Sequence, residues 1–193
     1  MDQDLKKILD FAYKTHLVFL VGLVFLFLSF LPTIGLLFSL VWFILVLIGI
    51  IMMLIYFYKF SKYFEDAKLF LLPLISFFML IIVFFMLGIL GISTFLSLEN
   101  FMQEGQMNIY DFIGDVMIII FFSLIIGLIA YILWGIAYFK LGKYLKNMWV
   151  FWPYIIKVIL NILSFFIPYI GILIPFIPQI LWIYTFKKLR DSQ

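Results

Sequence analysis

Three long apolar runs in this chain end the same way, and that ending constrains the fold more than any other feature. Ile55-Tyr56-Phe57-Tyr58-Lys59-Phe60-Ser61-Lys62 closes the first. Ile136-Ala137-Tyr138-Phe139-Lys140-Leu141-Gly142-Lys143 closes the second, and Ile183-Tyr184-Thr185-Phe186-Lys187-Lys188-Leu189-Arg190 the third. Each reads Ile, two residues, an aromatic, Lys, two residues, Lys or Arg. Apolar runs ended by aromatic and basic side chains are the pattern of helices leaving a bilayer. The three copies predict exits on one side of a membrane, each closing a helical hairpin.

Composition agrees. Hydrophobic residues make up 67% of the 193 residues, and the mean hydropathy is +1.27. Soluble domains are about 45–50% apolar, so the excess needs lipid to absorb it. There is no Cys, which excludes disulfides and thiolate metal or redox sites. His16 is the only histidine, which excludes a His-rich site within one chain. No small-residue cleavage site follows the first apolar run, so no cleaved signal peptide is expected. The net charge of +3 lies in segments beside helices and reads as topological, so no nucleic-acid partner is expected.

Taken in order, the chain reads as one integral membrane domain over 1–193. Six spans are expected, at about 17–31, 33–58, 69–93, 113–139, 149–167 and 169–186. The fold class is all-α: a polytopic transmembrane bundle of about six helices in three hairpins. Ahead of the first span, Leu5, Ile8, Leu9 and Ala12 share a helical face. That stretch fits either a surface-lying amphipathic helix or a solvated lead-in. The first run covers only ~22 Å of a ~30 Å hydrocarbon core, so Lys14 and His16 are expected to snorkel, with the helix starting near Phe11. Residues 94–112 read as the long polar connection, with Asn108 as the cap of the next helix. Pro168 divides the final apolar stretch into two spans.

The basic residues set an orientation. Lys6, Lys7 and Lys14 precede the first span. Lys59, Lys62 and Lys68 follow the second, Lys140, Lys143 and Lys146 the fourth, and Lys187, Lys188 and Arg190 the sixth. All fall on one side of a six-span topology, which places both termini in the cytoplasm of a cell-membrane protein.

An internal repeat is legible in the same segments. Beyond the exits, Phe30-Leu31-Pro32-Thr33-Ile34-Gly35 echoes Phe166-Ile167-Pro168-Tyr169-Ile170-Gly171, and Lys59-Phe60-Ser61-Lys62-Tyr63 echoes Lys140-Leu141-Gly142-Lys143-Tyr144. A hairpin unit used three times would leave these matches. The aromatic girdles and basic flanks of any membrane protein would leave some of them too.

The Pro-x-Ile-Gly turn at Pro32, the long second helix, and Lys59, Lys62, Tyr63, Glu65 and Asp66 before the third helix carry a family resemblance. Over 22–92 the chain resembles an archaeal family of multi-span membrane proteins catalogued as domain of unknown function 996. The resemblance implies a membrane location and an archaeal source and brings no activity with it. The aromatic-rich last third departs from that pattern.

Lys157 is the sharpest functional candidate, because an ionisable residue inside a span is a functional hypothesis by default. Asn161 and Ser164 follow on the same helical face, with Tyr154 before them, and Gln179 can approach across the last hairpin. One reading is a polar intramembrane site. The other is that Lys157 snorkels while Asn161 and Ser164 bond neighbouring helices. Pro175 and Pro178 read as breaks in the sixth span. Gly88 with Gly91, and Gly35 with Ser39, read as small faces for helix packing. No catalytic constellation, metal site or cofactor motif is legible. The expectation is therefore a non-enzymatic multi-pass membrane protein with a structural or accessory role, associating through helix faces with itself or with other membrane subunits in the lipid bilayer. The alternative is a small transporter or channel built on the polar stripe.

Overall fold

The computed structural model describes residues 2–31, 34–104, 109–166 and 175–192, with side chains described for all of these except 93, 95–104, 109–115, 165 and 166. Every regular element among them is helical: α1 (Gln3–Leu28), α2 (Gly35–Tyr63), α3 (Lys68–Glu104), α4 (Ile109–Tyr144), a 3-10 turn (Met148–Val150), α5 (Trp152–Phe166) and α6 (Phe176–Ser192). The fold is an all-α helical bundle. Four stretches are long and apolar enough to cross a membrane: Gln3–Leu28, Gly35–Tyr63, Lys68–Ile92 and Val116–Tyr144. They are compatible with a multi-pass membrane protein and point to a membrane location. The apolar stretch Met148–Ser164 is shorter.

Several expected boundaries move. The N-terminal segment is neither a separate surface helix nor a solvated lead-in, because α1 runs unbroken from Gln3. Asp2 caps it, its carboxylate accepting from the Asp4 amide at 3.0 Å. The added turns lengthen the short first run to ~39 Å. The expected 94–112 loop is largely helix, since α3 continues to Glu104 and α4 starts at Ile109. Its polar residues include no Pro, and its first Gly is Gly105, so nothing in 94–104 breaks a helix. The expected Asn108 cap lies outside the described residues, as do Pro32, Pro168 and the rest of 167–174. In the fifth segment 148–150 forms a 3-10 turn, and Pro153 enters the first turn of α5, where its missing N–H costs nothing.

The chain divides into two compact units. One comprises Met1–Leu71 with Gly135–Gln193, the other Leu72–Trp134. In the second unit apolar side chains face outward along both helices, Phe84, Phe85, Leu124 and Leu128 among the most exposed. A Cβ added at Gly88 or Gly91 would meet nothing within 4 Å. These glycines therefore make no close helix contact among the described residues, contrary to the packing expected of them.

The first unit holds the dense core, and glycine admits its closest approaches. A Cβ at Gly35 would lie 2.2 Å from the Ser29 carbonyl oxygen, so only glycine lets α2 start this near the end of α1. Ser39, expected beside it as a packing surface, is half-buried and donates to its own helix at Leu36. The Phe19 ring fills the space beside Gly49, and the Tyr154 ring that beside Gly135; an added Cβ would come within 2.8 Å of either ring.

The three exits converge in this core. Tyr56, Phe57 and Phe60 from the first, Ala137, Tyr138 and Leu141 from the second, and Phe186 and Leu189 from the third are all buried. Their basic residues tie the segments together. Lys140 of the second exit pairs with Asp66, just after the first, at 2.5 Å, and Arg190 of the third pairs with Asp10 of α1 at 2.9 Å. Topology alone would leave these positions as a girdle; here they also carry the packing.

The first two exits end in the same backbone motif. Glu65 (φ 54°) and Lys146 (φ 49°) take left-handed conformations just past α2 and α4. The following amides close the motif, Asp66 N donating to Ser61 O at 3.1 Å and Asn147 N to Gly142 O at 2.9 Å. Asp66 and Asn147 then each accept from the amide two residues on, Lys68 at 2.9 Å and Trp149 at 3.0 Å. The lexical repeat is thus matched by identical local geometry at these two points.

Candidate functional site

The site is built where α1, α5 and α6 meet within the first unit. On α1 the buried residues Ile8, Leu9, Ala12, Thr15 and His16 recur at helical spacing. This stripe faces α6, whose Trp182, Thr185, Phe186 and Leu189 are buried in turn. His16 lies fully buried at the join, contrary to its expected snorkelling. Its ring stacks with Trp182 at 4.9 Å and with Phe186 at 5.5 Å between centroids. Trp182 also stacks with Tyr138 at 4.8 Å and donates its indole N–H to the Val150 carbonyl at 2.9 Å. One indole therefore links α1, α4, α6 and the turn before α5.

A hydrogen bond fixes the polar edge of this stack. His16 Nδ1 lies 2.7 Å from Gln179 Oε1. An amide oxygen only accepts, so Nδ1 carries the proton and donates. Among the described residues His16 Nε2 is buried without a hydrogen-bond partner. Close by, Tyr56 and Tyr138 share a buried hydroxyl–hydroxyl bond of 2.8 Å, and Tyr138 reaches the Met53 sulfur at 3.6 Å. Tyr56 donating to Tyr138, and Tyr138 to the sulfur, satisfies both hydroxyls.

Gln179 also lines a cavity of 130 Å³, together with Phe19 and Leu23 of α1, Val46 of α2, Lys157 of α5, and Pro175 and Pro178. Four of the six residues singled out from sequence, Lys157, Pro175, Pro178 and Gln179, thus line one cavity. Asn161 and Ser164 are not part of it. Ser164 turns back on its own helix, donating to the Asn161 carbonyl at 2.7 Å rather than to a neighbouring helix. Tyr154 points to α4 instead, packing beside Gly135 and Tyr138. The two prolines stand at the start of α6, and residues 167–174 before them lie outside the described residues. Pro175 immediately precedes α6 and Pro178 is its third residue, where a backbone N–H has no intrahelical acceptor to lose.

Outside the apolar helices, Asp66 is the best-held carboxylate. It accepts from the Lys140 ammonium, the Lys68 amide and the Tyr144 hydroxyl. The hydrogen bond from Lys140 is the main reason its carboxyl is held below the ordinary aspartate range. Among the described residues no group of three or more His, Asp or Glu gathers where it could hold a metal.

Sequence reasoning missed His16, Trp182 and the tyrosine pair. For His16 a signal existed, because extending the Ile8–Ala12 spacing by one turn lands on it. No family model matches the chain, and no curated protein and no solved structure matches it either.

Proposed function

We propose that this chain is a multi-pass integral membrane protein of the cell membrane, with both termini cytoplasmic, which admits a small solute through the cavity between α1, α2, α5 and α6. The reading is non-enzymatic. The observation that carries it is the convergence of Lys157, Gln179, Pro175 and Pro178, from two elements, on one cavity. A charged residue of an apolar helix that borders a cavity is the usual mark of a substrate or ion path. Small transporters place such sites where helix ends meet near the middle of the bilayer. The outward apolar surface of α3 and α4 suits lipid.

The test is permeability. Sealed liposomes with and without the purified protein are challenged with a panel of small anions, cations and neutral solutes, and swelling is followed by light scattering. At least one solute should enter the protein-containing vesicles faster, and Lys157→Met should remove the difference. Identical swelling across the panel would return the chain to a structural or accessory role. The open space around Gly88 and Gly91 favours that second reading, as a small-residue face on α3 suited to a partner helix.

A further inference from the structure

The cavity also carries information about the chemistry of its occupant. Among the described residues its polar groups come from Lys157 and Gln179, and the rest of its lining is Phe19, Leu23, Val46, Pro175 and Pro178. Lys157 offers only donors. Gln179 could offer either sign, but His16 decides the matter. Its Nδ1–H takes one lone pair of Gln179 Oε1 at 2.7 Å and turns that oxygen toward His16, so the Gln179 NH2 is the group left to face the cavity. His16 is held in turn by rings on two sides, Trp182 and Phe186. The amide is therefore oriented from behind by a buried, immobilised ring, and both polar residues of the wall present donors. Among the described residues that line the cavity, none is acidic.

Size narrows the choice further. A cavity of about 150 Å³ accommodates benzene. This one measures 130 Å³, so it accommodates about five non-hydrogen atoms on the same scale. An occupant must therefore be small, carry acceptors at one end, and tolerate apolar walls elsewhere. We propose that the cavity binds an aliphatic monocarboxylate, the carboxylate meeting Lys157 and the Gln179 NH2 and the alkyl part lying against Phe19, Leu23 and Val46. This rests on the reading of the cavity as a solute site. A carboxylate fits where a phosphate does not, because two donor residues can satisfy one delocalised charge but leave a dianion largely unpaired. His16 acts as a positioning residue: it touches Gln179, not the ligand.

The experiment is calorimetric titration of the purified chain in nanodiscs at pH 7 with butyrate, butylamine and n-butanol, molecules of nearly one size and three charge types. Butyrate should bind, and the other two at least ten-fold more weakly. Lys157→Met should weaken butyrate at least ten-fold and Lys157→Arg should restore most of it. His16→Phe keeps an aromatic ring but frees the amide to rotate; it should weaken butyrate and narrow the gap to butylamine, which a purely structural role would not do. Thermal melting of each variant checks that it is folded. Equal binding of butylamine, no butyrate binding, or butyrate binding indifferent to Lys157→Met overturns the proposal. Octanoate and oleate test the size limit. Affinity falling with chain length is the expected result for a cavity of 130 Å³, and affinity rising to oleate overturns the proposal. Butyrate binding without any solute flux sinks the permeability reading alone. Flux of cations or neutral solutes without butyrate binding sinks the carboxylate alone.

Discussion

His16 on α1 and Gln179 on α6, 163 positions apart in sequence, meet through a 2.7 Å hydrogen bond beside the cavity. The contact joins the first helix of the chain to the last. It also makes the lone histidine part of the packing core instead of a residue at the membrane surface. The fixed ring and the oriented amide follow from the same stacking on Trp182 and Phe186.

This bond predicts a coupled pair. His16→Phe and Gln179→Leu should each lower stability, with about 1 kcal/mol of each loss coming from the shared hydrogen bond. The double variant should then cost less than the sum of the two by about that amount. Chemical unfolding in a fixed detergent measures the cycle. Strict additivity would mean that the bond contributes nothing in the folded chain.

The tyrosine pair predicts the same behaviour deeper in the core. Tyr56 and Tyr138 are both buried and share one hydroxyl–hydroxyl bond of 2.8 Å. Tyr56→Phe and Tyr138→Phe should each destabilise by about 0.5–1.5 kcal/mol. Tyr138→Phe should cost the more, because it also strands the contact to Met53. The double Phe variant should cost little more than Tyr138→Phe alone, since replacing both partners leaves no orphaned hydroxyl.

Asp66 predicts a pH dependence with a definite sign. Its folded carboxyl lies below the ordinary aspartate value, chiefly because Lys140 donates to it. Its stabilising contribution is therefore complete above the unfolded value of about 3.9. It is lost as pH falls through the lower folded value. Wild type should be more stable than Asp66→Asn near neutrality, and the gap should close on acidification below about pH 4. Melting curves of both proteins across that range give the comparison. A gap unchanged at low pH would mean that Asp66 is not ionised and paired as described.

The exits predict a threading. A reporter active only in the cytoplasm should give signal at either terminus and none when inserted within 99–106. This is the outcome expected when the positive-inside rule is applied to the basic residues of the three exits and of the N-terminal segment. Cytoplasmic signal from the insertion would reverse or refold the topology.

What could be read beforehand follows physical lines. Helix identity was legible because the apolar runs are too long and too uncharged for anything else. The meeting of Lys157 with Gln179 was legible because two helices joined closely must run side by side. The loop expected at 94–112 was misread because polarity was taken as a sign of coil, although Leu98, Glu99, Phe101, Met102 and Gln103 all suit a helix. Pro175 and Pro178 stand at the start of α6, and the part of the expected sixth span that precedes them lies outside the described residues. His16 was misread because its partners, Gln179, Trp182 and Phe186, lie at the far end of the chain. The second role of the exits, as packing residues, depends on three segments meeting, and no single segment shows it.

Lys157 and Gln179 border one cavity, and a solute path through it requires that water reach both positions. The chain has no cysteine, so single cysteines can be introduced without background. Lys157→Cys, Gln179→Cys and, as a control, Ile162→Cys on the exposed apolar face of α5 are each treated in intact membranes with a small water-soluble thiol reagent. Water-borne reagents need a hydrated thiolate. The account predicts rapid modification at 157 and 179, slowed by butyrate, and none at 162. Labelling at 162 equal to that at 157 and 179, or no labelling at either cavity position, would contradict it.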